Sequence, residues 1–383
     1  MRNRIASLDT AKGIAILAVI LGHYFQEFSP DKMNIVYCFH MPLFFLISGY
    51  CLSINKTFKD FAKSKIHRLL IPYAVTAVIW GCLQTLKSFI KNGALDGVKQ
   101  AIKCIYAILY GGGQGQGSFY LTKSLEWKAI GCEVGMLWFL LALLWGSLFV
   151  YGIAKFKSRT VQCMVVIVIA MFGYLSAQYI VLPFSIQQGM LATSYLYIGL
   201  TAKQYGLTDK IKLNFINCSL CLIGFVSWIL MSKFSLLEMY CNSYKYGILD
   251  WLTSIVISCF IIVICQLILS KNNTIQAVFS WLGKNSLIIL CFHYIDARIF
   301  GFIVHRFASI FDLNFLLNMV IVFIGSCLLY VLGVCGMNVV KKCKRRTKSA
   351  ITSRERMTNF RRIKITNWYL VSGRKHYSTV LLT

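Results

Sequence analysis

Lys12, His23 and His40 stand in stretches otherwise built mainly of Ile, Leu, Val, Phe and Ala. An ionisable side chain inside an apolar span is expensive, and it is kept where it does work. Imidazole titrates near neutral pH, so it can take or give a proton under ordinary conditions. Lys12 and His23 are eleven residues apart, about three helical turns, which puts them on one helix face and about 16 Å apart along the axis. At that separation they do not pair. A cation at one level and an imidazole far along the same face describe a lined path rather than an ion pair.

The chain turns back through the short link 29–34, so residues equally distant from the turn sit at equal depth. That places His23 level with His40 on adjacent antiparallel helices, and Lys12 level with Cys51, close to Ser48 and Gly49. Pro42 costs the second helix a backbone hydrogen bond, a break tolerated where backbone lines a cavity. The plainer reading is that a lone His in a span packs by hydrogen bonding and that Lys12 snorkels to the surface. The shared face weighs against it for His23.

These residues must be held by a membrane. The chain has 383 residues, of which 57% are hydrophobic and 14% charged, with a mean hydropathy of +0.65. A soluble domain is nearer half apolar and a quarter charged. The apolar residues come in blocks able to cross a hydrocarbon core of about 30 Å. Ten such spans are expected, at 8–28, 35–54, 69–90, 135–154, 161–180, 186–202, 215–231, 248–269, 286–304 and 316–339. The fold class is therefore an all-α polytopic transmembrane helical bundle. Lys and Arg favour the cytoplasmic side. Threading the spans alternately gathers Arg2, Arg4, Lys56 to Arg68, Lys155 to Arg159, Lys203 to Lys212 and the run after residue 340 on one side, so both termini are expected to be cytoplasmic. The other side carries long neutral or mixed loops at 92–133 and 232–247. The first segment, with Asp9 and Lys12 and no small-x-small cleavage site, reads as a retained helix rather than a signal peptide.

The net charge of +27 does not indicate a nucleic-acid partner. The segment 341–383 holds thirteen Lys or Arg against one acid, Glu355, and reads as a basic cytoplasmic tail without apolar periodicity, set apart from a membrane domain at 1–340. The remaining excess follows topology and anionic lipid. Many of the fifteen cysteines lie within spans, where a thiol is a small hydrophobe. Cys218 and Cys221 have the CxxC spacing but sit in a span, and no metal site is expected there. Cys132 and Cys241 fall outside the spans and form a possible pair. The Gly-rich stretch 111–117 lacks the ending of a phosphate-binding loop and reads as a flexible loop.

Several stretches resemble the acyltransferase-3 family of membrane O-acyltransferases. Lys12 and His23 meet its Arg/Lys-x10-His pattern, and Phe44, Phe45, Ser48 and Gly49 its Phe-Phe-x-x-Ser-Gly pattern. Arg68 to Tyr73, Trp138 to Leu140, and Leu282 to Leu287 with His293 match further along, so the resemblance spans roughly residues 4 to 340. Phe39-His40-Met41-Pro42 resembles the branch that includes fucose-type sugar O-acetylases. No appended extracytoplasmic SGNH-type domain is expected. The resemblance implies about ten spans in the inner (plasma) membrane, an acyl-CoA donor, acetyl-CoA above all, entering from the cytoplasm, and a glycan acceptor. Lys12 and Arg68 would then hold the anionic part of the donor. His23 would act as general base on a sugar hydroxyl or carry the acyl group transiently, and His40 would orient the imidazole or the acceptor. Ser48 and Gly49 are expected to serve close helix packing. A carrier for a sugar or a lipid-linked glycan is the competing class. The absence of a visible inverted repeat, and the gathering of ionisable residues in one hairpin, speak against it.

Overall fold

In hydrocarbon every backbone N–H and C=O must find a partner within the protein, so long apolar blocks fold as helices. The computed structural model describes residues 5–112, 118–120, 126–128, 134–268, 273–301, 303–308, 317–318 and 320–340. Its helices are α1 (Ala6–Phe28), α2 (Asn34–Tyr37), α3 (His40–Tyr50), α4 (Phe58–Lys65), α5 (Ile71–Asn92), α6 (Ala94–Tyr110), α7 (Trp138–Ile153), α8 (Arg159–Ser176), α9 (Ile186–Gln204), α10 (Phe215–Phe234), α11 (Ile248–Leu267), α12 (Asn273–Lys284), α13 (Ser286–Ile295) and α14 (Ile303–Ala308). A last helix, Val320–Val340, follows. The strands are two small antiparallel hairpins: β1 (Ser118–Tyr120) with β2 (Glu126–Lys128), and β3 (Leu237–Glu238) with β4 (Ser243–Tyr244). The chain divides into two units, 1–328 and 329–383. The site described below lies within the first, and the tail 341–383 is outside the described residues.

Among the described residues, eight helical segments are long and apolar enough to cross a membrane, and α12 and α13, joined at a 65° bend, pass the same test only as a pair. The protein is thus a multi-pass helical membrane protein. The expected span at 186–202 is also helical, as the 19-residue α9, but Gln187, Gln188, Thr193 and Ser194 make it too polar to count by composition. The reason is its position. Twelve of the nineteen residues of α9 are buried, Gln187, Gln188, Thr193 and Ser194 among them, and polar groups here bond to protein: Tyr195 with Ser254 at 2.9 Å, and Trp251 to Ser194 at 2.9 Å. The stretch 92–133 is not all loop, since α6 occupies its first half and packs back along α5. The span expected from residue 286 begins a helix earlier, at Asn273.

Glycine sets the closest crossings. A Cβ on Gly49 of α3 would collide with the Leu196 carbonyl of α9, and one on Gly199 of α9 with the Leu46 carbonyl of α3. Gly13 and Gly283 bring α1 and α12 together in the same reciprocal way, against Phe279 and Asp9. Without a hydrophobic drive between helices in lipid, such close backbone approach is what holds them. Gly49 has the packing role expected of it. Ser48, beside it, instead faces a cavity.

Two prolines reshape helices beside the site, one by a break and one by a π turn. Pro42 has no N–H, and its ring would strike the carbonyl four residues back, that of Cys38. The helix therefore stops at Tyr37 and restarts at His40, which leaves Pro42 in the first turn of α3, where N–H groups lack intrahelical partners anyway. The break falls three to four residues ahead of the proline rather than at it. Pro72 does not interrupt its helix: the segment Phe58–Asn92 stays helical throughout, and ahead of the proline the backbone widens into a π turn over Ile66–Leu70.

Candidate active site

A cavity of about 150 Å3 follows one face of α1, lined in turn by Lys12, Ile16, Val19, His23 and Gln26. These are the i, i+4, i+7, i+11 and i+14 positions, a single stripe of the helix. The opposite walls come from α3 (His40, Met41, Phe44, Ser48), α7 (Trp138, Phe139, Leu140, Leu143) and α13 (Ser286, Leu287, Leu290). At the Gln26 end the wall is Tyr37 with Leu237, Met239 and Tyr240 of the β3–β4 hairpin.

Three imidazoles gather toward the Gln26 end. His23 faces the cavity, with its ring centroid 5.4 Å from that of His293, which is fully buried. Tyr37 lies against both other histidines, 6.3 Å from His23 and 4.9 Å from His40 between centroids. His23 and His40 are therefore brought together as their depths predict. Each has a fixed tautomer. His40 Nδ1 donates to the Val36 carbonyl at 2.7 Å, a group that the break before Pro42 leaves without its usual donor. His23 Nδ1 donates to Gln26 Oε1 at 3.2 Å, and the Tyr37 hydroxyl donates to the same oxygen at 3.4 Å. In the neutral ring these bonds put the proton on Nδ1 and leave the Nε2 lone pair free, the form a base needs. The Arg298 guanidinium sits beside Gly135 and within electrostatic reach of His23. Among the described residues no three His, Cys, Asp or Glu converge as metal ligands.

The far end is cationic. Lys12 Nζ stands 4.0 Å from Cys51 Sγ, the level expected from the hairpin register. Lys65, at the end of α4, is in electrostatic contact with Arg68, Cys51 and Lys12. Arg68 is exposed and does not line the cavity; its neighbour Leu69 does. Between the cations and the imidazoles the walls are apolar, made by Ile16, Val19, Phe44, Leu69, Leu140 and Leu143.

Sequence reasoning placed Lys12, His23 and His40 correctly in space. It carried His293 only as part of a motif, and it used Lys65 only for orientation. Gln26 and Tyr37 gave no signal, being neutral residues near a span end. Cys241 is a free thiol that donates to Glu238; Cys132 lies outside the described residues, and so does most of the Gly-rich stretch.

Fold and cavity together define a multi-pass membrane protein with an imidazole cluster at the head of an internal channel. The sequence of the acyltransferase-3 family, described as an acyltransferase domain, matches residues 5–335. The chain belongs to that family and is a membrane acyltransferase, which favours the transferase reading over the carrier. It is also similar to the nodulation protein NolL of Mesorhizobium japonicum, 40% identical over 100 residues that cover 22% of this chain and 26% of that protein. This chain therefore spans about a quarter of the length of that relative. No solved structure matches.

Proposed function

We propose that this acyltransferase moves an acyl group, acetyl above all, from acyl-CoA to a hydroxyl of a cell-surface or lipid-linked glycan. It works in the plasma (inner) membrane with both termini cytoplasmic, in keeping with its Lys and Arg distribution. The observation that carries the reading is the one cavity along α1, cationic at one end and imidazole-lined at the other. Lys12, with Lys65 and Arg68 nearby, offers charge-assisted contacts to the donor's phosphates. The apolar neck suits the uncharged arm that ends in the thioester.

His23 Nε2 takes the proton from the acceptor hydroxyl as its oxygen attacks the thioester carbonyl carbon. The C–S bond then breaks, and the proton passes to the leaving thiolate sulfur. Gln26 and Tyr37 hold the ring so that Nε2, not Nδ1, faces the reactants. Arg298 supplies positive charge near the developing oxyanion, where a preset charge counts most. The test is transfer of labelled acetyl from acetyl-CoA to glycan by membranes carrying the protein. Wild-type membranes are expected to label glycan, and His23→Ala membranes to lose about 10²–10⁴-fold. Near wild-type labelling by His23→Ala would sink the assignment.

A further inference from the structure

The β3–β4 hairpin closes the imidazole end of the cavity, and nothing in the catalytic scheme above uses it. Its tip is chemically distinct from the rest of the lining. Tyr240 lines the cavity, and its hydroxyl donates to Glu238 Oε1 at 2.8 Å. The thiol of Cys241 turns toward the same carboxylate, 3.9 Å from Oε2. Glu238 is only half-buried and lies within electrostatic reach of Tyr37, the residue that touches both His23 and His40. Glu238 is not itself part of the cavity lining; through its bond from Tyr240 it sets an acid next to the imidazole end, opposite the lysines.

The hairpin is pinned rather than loose. Gln188 of α9 donates to the Tyr240 carbonyl at 2.8 Å. Ser235, at the base, donates to Asp250 at 2.6 Å, and Asp250 also accepts from the Tyr246 N–H at 2.7 Å. Asn34, in the link between α1 and α3, donates to the Ser235 carbonyl at 2.5 Å. Asn242 adopts the left-handed φ of +55° that the tight turn requires, and its amide reaches the Gly173 carbonyl at 3.3 Å. Such anchoring on α9, α11 and the first hairpin preorganises the tip, the property a recognition site needs.

We infer that Glu238 and Tyr240 form the acceptor subsite, which binds a pyranose ring bearing free hydroxyls. The inference rests on the glycan-acceptor reading above. The Glu238 carboxylate accepts hydrogen bonds from ring hydroxyls, which are strong when the acceptor is charged. The electron-rich face of Tyr240 receives the C–H edge of the ring. The hydroxyl to be acylated is thereby directed at His23 Nε2. A carboxylate in this position also disfavours acceptor rings that carry a negative group next to the reacting hydroxyl.

The test uses purified full-length protein, labelled acetyl-CoA, and surface polysaccharide of the producing cells stripped of its esters with mild alkali, varied in concentration. Glu238→Gln, which keeps shape and loses charge, is expected to raise the acceptor KM about tenfold or more while the KM for acetyl-CoA stays unchanged. Tyr240→Ala should do the same, and Tyr240→Phe, which keeps the ring, should lie between it and the wild type. A merely structural role would move both KM values together. An active wild type whose acceptor KM is unaltered in Glu238→Gln and Tyr240→Ala, or whose two KM values rise alike, overturns the subsite. A wild type that labels no polysaccharide overturns the glycan-acceptor reading itself, and the subsite with it.

Discussion

In the proposed mechanism Gln26 decides whether His23 acts as a base. Its Oε1 accepts hydrogen bonds from His23 Nδ1–H and the Tyr37 hydroxyl together, so one neutral side chain sets the tautomer of the neutral ring and its tilt. Gln26→Leu removes the acceptor at similar size and frees the ring to turn. The turnover number at saturating acetyl-CoA should fall about fivefold or more, since one neutral hydrogen bond contributes about 1 kcal/mol, and the KM for acetyl-CoA should not change. Steady-state kinetics with both substrates checks this; an unaltered turnover number would contradict it. At this scale the sequence revealed what was chemically out of place. Lys12, His23 and His40 stood out because ionisable groups are rare in apolar spans, and eleven-residue spacing put two of them on one face. Gln26 and Tyr37 are unremarkable at a span end, so their part emerged only from contacts. Arg68 was expected at the donor site by its place in a motif. The π turn at Ile66–Leu70 presents Leu69 to the cavity and leaves Arg68 exposed.

The break between α2 and α3 shows how an element aims a residue. Pro42 stops the helix ahead of itself, the Val36 carbonyl accepts from the Phe39 N–H at 3.3 Å instead of from the His40 N–H, and the His40 ring donates to it as well. In Pro42→Ala the helix can run through from Asn34 to Tyr50. The His40 backbone N–H then takes the Val36 carbonyl, and the ring loses its orienting bond. Transfer should fall about tenfold or more, in the range of a misplaced proton-transfer group, while the thermal unfolding temperature holds or rises because a proline has left a helix. Loss of activity accompanied by a lower unfolding temperature would instead mean that Pro42 matters for packing alone. The sequence announced a break at this proline but not its place. The bend between α12 and α13, which carries His293 beside His23, was invisible, since no proline marks it. It turns on Asn285, whose side-chain amide and backbone N–H both return to the Trp281 carbonyl. Likewise α6 lies in a stretch whose sequence reads as loop. It is a 17-residue helix with one apolar face, too short and too charged to register as a span.

At the scale of the whole molecule, the class was legible from composition and block length, because a bilayer leaves few alternatives to helices. All ten expected blocks contain helix, though block length alone could not say that α9 is shielded by protein and therefore free to be polar. Nor could it show that α1 packs against α12 from the far end of the chain through Gly13 and Gly283. Those long-range closures shape the cavity, and with it the central claim: one passage whose two ends serve different substrates.

Binding of CoA to purified Lys12→Ala and His23→Ala proteins tests that claim most directly. Lys12 lines the cationic end and His23 the imidazole end of the same cavity, about 16 Å apart along α1. Lys12→Ala should weaken CoA binding about tenfold or more, the effect of losing one charge-assisted contact, with Lys12→Arg milder because the charge survives. His23→Ala should bind CoA much as the wild type does, yet transfer no acyl group. An equal loss of CoA affinity in Lys12→Ala and His23→Ala would mean a single compact site, and the passage with two separate ends would be wrong.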